Sequence, residues 1–356
     1  MTLAGVGASV WDGVVGQPDA IRRLQASATH PLHAYLFVGP PGSTKNEAAR
    51  SFAALVLAGV DDPHQRDARL ALTGQHPDVR EFARIGAAIS KDQADEIVRL
   101  AALAPNESDR KVLILDEFHL LSPEGAAKLL KTIEEPPAST VFIVLADFMP
   151  PDLVTIASRC IRIDFQPIHH ELVVATLVSE GATAERAAEA ADAAHGDLAR
   201  ARLLANDTHL AARRAMFANT PQQLDGTGHA VVAAVDALLF EIEAAAAPLA
   251  ERHAREVTAL EERIAAVGER GSGKKTLEER HKRELRRHRV DELRAGLATL
   301  AGSYRDALVA GTLARPDAAA LAIKRIHQAL EALDRNPNEQ LMLQALLLEL
   351  PTLQRT

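Results

Sequence analysis

The chain has 356 residues, which at roughly 150 residues per domain predicts two or three domains. Forty Lys and Arg against 48 Asp and Glu leave a net charge of −8, so a chain-wide basic coat for nucleic acid is excluded. A composition of 47% hydrophobic and 25% charged residues fits a globular chain rather than a disordered one, and a single cysteine, Cys160, excludes a disulfide framework and a four-cysteine zinc site.

Aromatic residues are only 3% while Ala and Leu recur, which suits helices more than sheet sandwiches. No apolar run approaches the roughly 18 residues of a membrane span. The first basic residue is Arg22, so the positive start of a secretory leader is missing and a cytoplasmic location is expected.

In chain order, three near-continuous apolar runs predict strands: Ala34–Val38, Lys111–Leu115 and Thr140–Ala146. Ile161–Phe165 alternates and predicts a fourth. Such runs between helical stretches signal a parallel sheet buried on both faces. Helices are predicted over Glu47–Ala58, closed by Gly59, over Lys91–Ala104, closed by Pro105, and over Pro151–Ala157. Beyond Gln166 and Pro167 the strand signals stop. Residues 166–207 read as a small Ala-rich helical unit punctuated by Gly181 and Gly196, and residues 208–356 as helical throughout. Within the latter, the charged stretch 251–294 reads as a helical hairpin turning at Gly268, Gly271 and Gly273. No internal repeat is evident, and low complexity is limited to alanine runs such as Ala244–Ala247. The expected fold class is α/β plus all-α, with an α/β domain over residues 1–165.

Gly39-Pro40-Pro41-Gly42-Ser43-Thr44-Lys45-Asn46 lies directly after a strand and before a helix, where a phosphate-binding loop belongs. Such a loop needs backbone N–H groups curling around a phosphate, a helix N-terminus aimed at it and a Lys counter-charge. Gly39, Gly42 and Lys45 satisfy the pattern. Thr44 replaces the second glycine, and a β-branched residue resists positive φ. Asn46 replaces the Ser or Thr that binds Mg²⁺, and its amide oxygen could ligate a metal only from a longer arm. The competing reading is an inherited loop that no longer grips nucleotide. A second glycine-rich stretch, Gly268–Lys275, follows a charged helix instead of a strand and reads as a turn.

Asp116-Glu117 end the Lys111–Leu115 strand. An acidic pair there suits Mg²⁺ binding by Asp116 and water activation by Glu117, or plain capping of the next helix. The basic residues Lys282, Arg283, Arg286, Arg287 and Arg289 are interleaved with Glu278, Glu279, Glu284, Asp291 and Glu292, which reads as a neutralised solvated helix instead of a phosphate-binding surface.

Val10–Gln17 (VWDGVVGQ), the GPPG segment, Leu115–Leu121 (LDEFHLL), Leu129–Pro137 (LLKTIEEPP) and Ser158-Arg159-Cys160 occur in that order. Together they resemble the clamp-loader branch of the AAA+ ATPases, and the tail from Asn336 through Leu350 is similar to the collar domain of bacterial loader subunits. The resemblance implies an AAA+ domain over 1–165, a helical lid over 166–207 and a collar, or oligomerisation, domain over 208–356. It also implies DNA replication as the setting. Gamma/tau and delta loader subunits would be the partners within the DNA polymerase III holoenzyme, with the sliding clamp and primed DNA reached through the assembly. The degraded phosphate loop points within that branch to the delta-prime type, a stator whose own ATPase is absent or weak, and not to the gamma/tau motor. Carried onto this sequence, the arginine finger for the neighbour's ATP site is Arg159. It lies between a predicted helix and a strand. Asp147 stands where hydrolysing relatives place a neutral polar sensor, and Arg200 (in HGDLARA) resembles a second sensor. ATP or ADP with Mg²⁺ is expected to bind weakly at most, with ATP–Mg²⁺ belonging to the neighbouring subunit. Many relatives carry a cysteine zinc module before His76-Pro77-Asp78; this chain has Asp61, Asp62, His64 and Asp67 there, so no zinc is expected. The alternative is an active AAA+ ATPase, a gamma/tau-like motor or a branch-migration helicase, kept open by Asp116 and Glu117.

Overall fold

The computed structural model describes residues 8–84, 88–267, 273–311, 316–335 and 337–353. They form two compact units, divided between Arg202 and Leu203. Among the described residues no helix is long and apolar enough to cross a membrane.

The first unit runs α1 (Pro18–Ala28), β1 (Ala34–Val38), α2 (Lys45–Ala58), α3 (Arg66–Leu72), β2 (Val79–Phe82), α4 (Lys91–Ala102), β3 (Lys111–Leu115), α5 (Pro123–Glu134), β4 (Thr140–Ala146), α6 (Val154–Ala157), β5 (Ile161–Asp164), α7 (His170–Ser179), α8 (Ala184–Ala194) and α9, which begins at Leu198 and ends at Ala205. The five strands form one sheet in the order β2-β3-β4-β1-β5, and every pairing is parallel.

The apolar strand runs are explained by burial on both faces. In β1, Tyr35 and Phe37 pack into one core layer with Phe52 of α2, while Ala34, Leu36 and Val38 pack into the other with Ile97 and Leu129. β3 and β4 divide the same way: Val112, Ile114, Val141, Ile143 and Leu145 on one side, Leu113, Leu115, Phe142 and Val144 on the other. Period-two alternation places successive side chains on opposite faces, so a two-sided core needs apolar residues at every position.

Several sequence expectations are corrected in detail. β2 was not anticipated, because Arg80 and Glu81 interrupt its four residues and leave it on the sheet edge. The fourth expected strand stops at Asp164, one residue short of Phe165. The expected Lys91–Ala104 helix ends at Ala102 and the Glu47 helix starts two residues earlier. The Pro151–Ala157 segment opens with a single 3-10 turn, Pro151–Leu153, since two consecutive prolines withhold N–H donors. Gly181 and Gly196 fall between the helices α7, α8 and α9, both at positive φ.

The second unit contains α10 (Leu210–Gln223), α11 (Gly228–Ala244), α12 (Ala247–Val267), α13 (Lys274–Val309), α14 (Pro316–Ala332) and α15 (Glu339–Glu349). Its core joins Phe217, Val235, Leu238, Leu297, Tyr304, Ile326 and Leu347. Gly296 sits inside α13 because a β-carbon there would fall 2.3 Å from the Phe217 ring, so only glycine lets α10 approach. α12 and α13 are the arms of the expected charged hairpin; Gly273 caps α13, whereas Gly268 and Gly271 lie outside the described residues, as does Asn336.

The hairpin carries a short repeat that the linear reading missed. Arg252-His253-Ala254-Arg255-Glu256 on α12 and Arg280-His281-Lys282-Arg283-Glu284 on α13 share the spacing Arg-His-x-Arg-Glu. The two imidazoles stack at 3.8 Å with planes 7° apart. Each ring faces the other arm's glutamate, His253 to Glu284 at 2.9 Å and His281 to Glu256 at 3.0 Å. Arg252 pairs with Glu284 and Arg280 with Glu256, so the crossed pattern is reciprocal. The expected neutralisation of the basic cluster is present for four of its members: Lys282 pairs with Glu279, Arg286 with Glu339, Arg287 with Asp291, and Arg289 with Glu243 and Glu339.

Candidate functional site: a phosphate loop closed by carboxylates

The GPPGSTKN segment links β1 to α2, so its backbone turns at the carboxyl end of a central strand. Its loop shape persists without the second glycine. Thr44 adopts φ 61°, ψ 22°, although a β-branched residue disfavours the left-handed region. What holds it there is its hydroxyl: Val15 N–H donates to Thr44 Oγ1 at 3.2 Å, and Oγ1 donates to the Val15 carbonyl at 3.3 Å. The Val14–Gln17 stretch of the VWDGVVGQ motif thus braces the loop. Gln17 adds a second brace, donating through Nε2 to the carbonyls of Ser43 at 3.1 Å and Gln166 at 2.7 Å.

Lys45 is 4% exposed. Its ammonium donates to Asp147 Oδ1 at 2.7 Å and to the Pro40 carbonyl at 3.2 Å. Asp147, just past β4, is itself positioned by His119 from the LDEFHLL motif: the Asp147 N–H donates to His119 Nδ1 at 3.1 Å. That bond leaves the other ring nitrogen to carry the proton of a neutral ring. Burial pushes the His119 pKa down, against the upward pull of Asp147 and Glu117.

Asn46 and Asp116 meet directly. Asn46 Nδ2 donates to Asp116 Oδ2 at 3.0 Å, while the Glu117 N–H donates to Asp116 Oδ1 at 2.8 Å. Burial, together with the neighbouring Glu117 charge, pushes the Asp116 carboxyl above the usual carboxylate range, although those hydrogen bonds and Lys45 pull it down. Glu117 has φ 50° and is held by Arg84 Nε at 3.0 Å. The alternative role of Asp116 as a cap for the following helix is not what its side chain does: both its oxygens are spent on Glu117 and Asn46.

The segment from Asp197 to Arg200 meets the loop from the other side. The Leu198 N–H donates to the Gly42 carbonyl at 3.2 Å. A β-carbon on Gly42 (φ 68°) would fall 1.9 Å from Asp197 Oδ1, so the open side of this glycine holds a carboxylate. Arg200 lies in the first turn of α9, with its backbone N–H donating to the same Asp197 oxygen at 2.9 Å. These contacts do not fit a bound ATP–Mg²⁺: the lysine is committed to Asp147, the glycine cradle to Asp197, and the metal-ligand positions to each other.

Arg159 is on the corner between α6 and β5 and is separate from this cluster in its contacts. It ion-pairs with Glu134, in the LLKTIEEPP motif, and donates to the Thr155 carbonyl at 2.7 Å. Before the structure, Arg84 and Asp197 carried no signal of their own. His119 was legible only as part of its motif.

The region corresponding to the absent zinc module is structural in its contacts. Asp61 accepts from Ser9 Oγ at 2.9 Å and Val10 N at 2.8 Å, which fastens the start of the described chain. Asp62 accepts from the His64 N–H, and Asp67 pairs with Arg66. Among the described residues no group of three or more His, Cys, Asp or Glu is placed to hold a metal.

The family model described as "DNA polymerase III, delta subunit" matches residues 16–169, the stretch from the Gln17 brace through β5. Over that stretch, a little under half of its length, the chain is similar to this family. Bacillus subtilis DNA polymerase III subunit tau is 38% identical over 175 residues, 46% of this chain and 30% of that protein. Bacillus subtilis subunit delta′ is 30% identical over 152 residues, 42% of this chain and 46% of that protein. The matched stretch thus spans less than half the length of either relative. A Thermotoga maritima gamma subunit-related protein aligns over 92% of this chain and 97% of its own, with a TM-score of 0.47 and 16% identity.

Proposed function

We propose that this chain is a clamp-loader subunit of DNA polymerase III of the non-hydrolysing, delta-prime type. In this reading it assembles with gamma/tau and delta subunits and takes part in loading a sliding clamp on primed DNA. The 166–207 segment serves as its lid and 208–356 as its collar domain. The observation that carries the reading is the Asn46–Asp116 hydrogen bond. In P-loop ATPases these two positions supply a hydroxyl and a carboxylate to Mg²⁺. Here an amide has replaced the hydroxyl, and its Nδ2 donates to the carboxylate, which weakens both positions as anchors for the metal that neutralises charge during phosphoryl transfer. The competing motor reading draws on the 38% identity to a tau subunit and on the retained Asp116-Glu117 pair.

Arg159 is the residue assigned to the neighbour's ATP site. A guanidinium suits that role because it is permanently charged and its planar fork binds two phosphate oxygens. Its pairing with Glu134 holds the side chain at the corner until a stronger anion is offered. A finger supplied in trans is worth roughly 10³–10⁵ in rate in well-studied phosphoryl transfer.

Reconstitution with gamma-type and delta-type partners tests the assignment. Arg159→Ala is expected to assemble normally and to lower clamp- and DNA-stimulated ATP turnover, because one site loses its finger. Equal turnover at equal assembly overturns the finger. ATP turnover by the isolated wild-type chain, abolished in Glu117→Gln, overturns the non-hydrolysing reading.

A further inference from the structure

We propose that Asp147 is a built-in occupant of the phosphate loop: its carboxylate takes the place on Lys45 that a nucleotide phosphate takes in a working loop, and thereby keeps anions out. The proposal deepens the non-hydrolysing reading above by naming what keeps this site shut.

Lys45 lies inside a loop whose charge must be matched once water is removed. Asp147 Oδ1 supplies that match at 2.7 Å. The carboxylate is aimed by its own backbone, since the Asp147 N–H is anchored on His119 Nδ1, and the His119 ring is in turn packed against Phe148 at 4.9 Å. The pair is therefore held from β4 and from the turn after β3, and does not depend on a flexible surface contact.

Carboxylates crowd the rest of the pocket. Asp197 lies against Gly42, and Asp116 and Glu117 follow β3. Beside these carboxylates stand Lys45, already paired, Arg84, engaged by Glu117, and Arg200, whose backbone N–H donates to Asp197. A phosphate entering next to Asp147 meets like charge in a partly desolvated site, which is unfavourable. The loop nevertheless retains polar groups of use to an anion. Ser43 is fully buried, and its hydroxyl has no hydrogen-bond partner among the described residues. Removing the Asp147 charge alone should therefore turn a closed loop into an anion site.

The test is calorimetric titration of the isolated chain with pyrophosphate and, separately, with ADP, each with and without Mg²⁺. Asp147→Asn preserves shape, removes the negative charge and frees Lys45. It is expected to bind at least about tenfold more tightly than wild type. The Asp147→Asn/Lys45→Ala double variant should lose that gain. Tighter binding of both probes identifies a general polyphosphate site; a gain confined to ADP places the base in the site as well, and either supports the proposal. Because Asp147→Asn leaves a buried ammonium short of its partner, its melting temperature should drop without ligand and recover with pyrophosphate. No gain in affinity for either probe, or a gain that survives Lys45→Ala, overturns the proposal. These readouts are binding and melting, so they are separate from the turnover measurement that decides the non-hydrolysing reading.

Discussion

Thr44 carries the tension of the phosphate loop at the scale of one residue. Its φ of 61° is disfavoured for a β-branched side chain by roughly 1–2 kcal/mol. Two hydrogen bonds to the Val15 backbone offset that strain. Thr44→Ala keeps the positive φ and strands the Val15 N–H, so it is expected to destabilise the chain by about 1–3 kcal/mol. Thr44→Gly loses the same bonds but adopts the left-handed region freely, and should exceed the alanine variant in stability by about 1 kcal/mol. Urea unfolding of the three proteins checks the order; an alanine variant equal to wild type would show that the hydroxyl is not what holds the loop. Sequence alone showed that Thr44 was out of pattern, but it could not show the bonds that let the conformation survive, because all of α1 and β1 lie between Val15 and the loop.

The connection between α4 and β3 depends on one carboxylate at the scale of elements. Asp78, in the turn before β2, accepts from the backbone N–H groups of Glu107 at 2.9 Å and Ser108 at 2.8 Å and from Asn106. Burial pushes its pKa up, but these donors outweigh burial and hold it below the usual carboxylate range. A depressed folded pKa means that the stabilisation is fully present above the ordinary value, about 3.9, and is lost as pH falls through the folded value. Asp78→Asn is therefore expected to lose about 1–3 kcal/mol at pH 7 and to approach wild-type stability below about pH 4. Denaturant titrations at the two pH values read the gap; a gap that stays constant would mean that the charge is irrelevant. His76-Pro77-Asp78 was legible as a motif, whereas β2 beside it was not. A four-residue edge strand with Arg80 and Glu81 at its centre has too short an apolar pattern to register. The Arg-His-x-Arg-Glu repeat escaped for a different reason: its meaning lies in the pairing of two helix arms, which no single segment records.

At the scale of the whole molecule the chain divides into an α/β unit and a helical unit, each with its own core. The helical unit has a polar centre. Arg213 of α10 bonds Asp207 at 2.6 Å and Glu292 of α13 at 2.8 Å, and all three side chains are almost wholly buried. Truncating one member of such a set leaves buried charge uncompensated, at about 3–5 kcal/mol. Arg213→Ala should shift the far-ultraviolet circular dichroism transition, which the helices dominate, to lower denaturant. Trp11, the one tryptophan, lies in the core of the first unit and reports that unit by its fluorescence. A dichroism transition unchanged from wild type would mean that the triad contributes little to the second unit.

What the sequence determined by itself was whatever has a local period or a local order. Apolar runs located β1, β3 and β4, because a strand buried on both faces must be apolar at successive positions, and alternation located most of β5. The order of short motifs carried the resemblance to the clamp-loader family, and Thr44 and Asn46 marked the phosphate loop as altered. The tertiary structure alone decided what the altered loop does with its charges. Lys45 and Asp147 are 102 positions apart, Asn46 and Asp116 are 70, and Asp197 reaches Gly42 from the turn before α9. No local pattern records such pairings: they arise because a parallel sheet brings the carboxyl ends of β1, β3 and β4 together, where Asp147 meets the Lys45 ammonium and Asp116 meets Asn46.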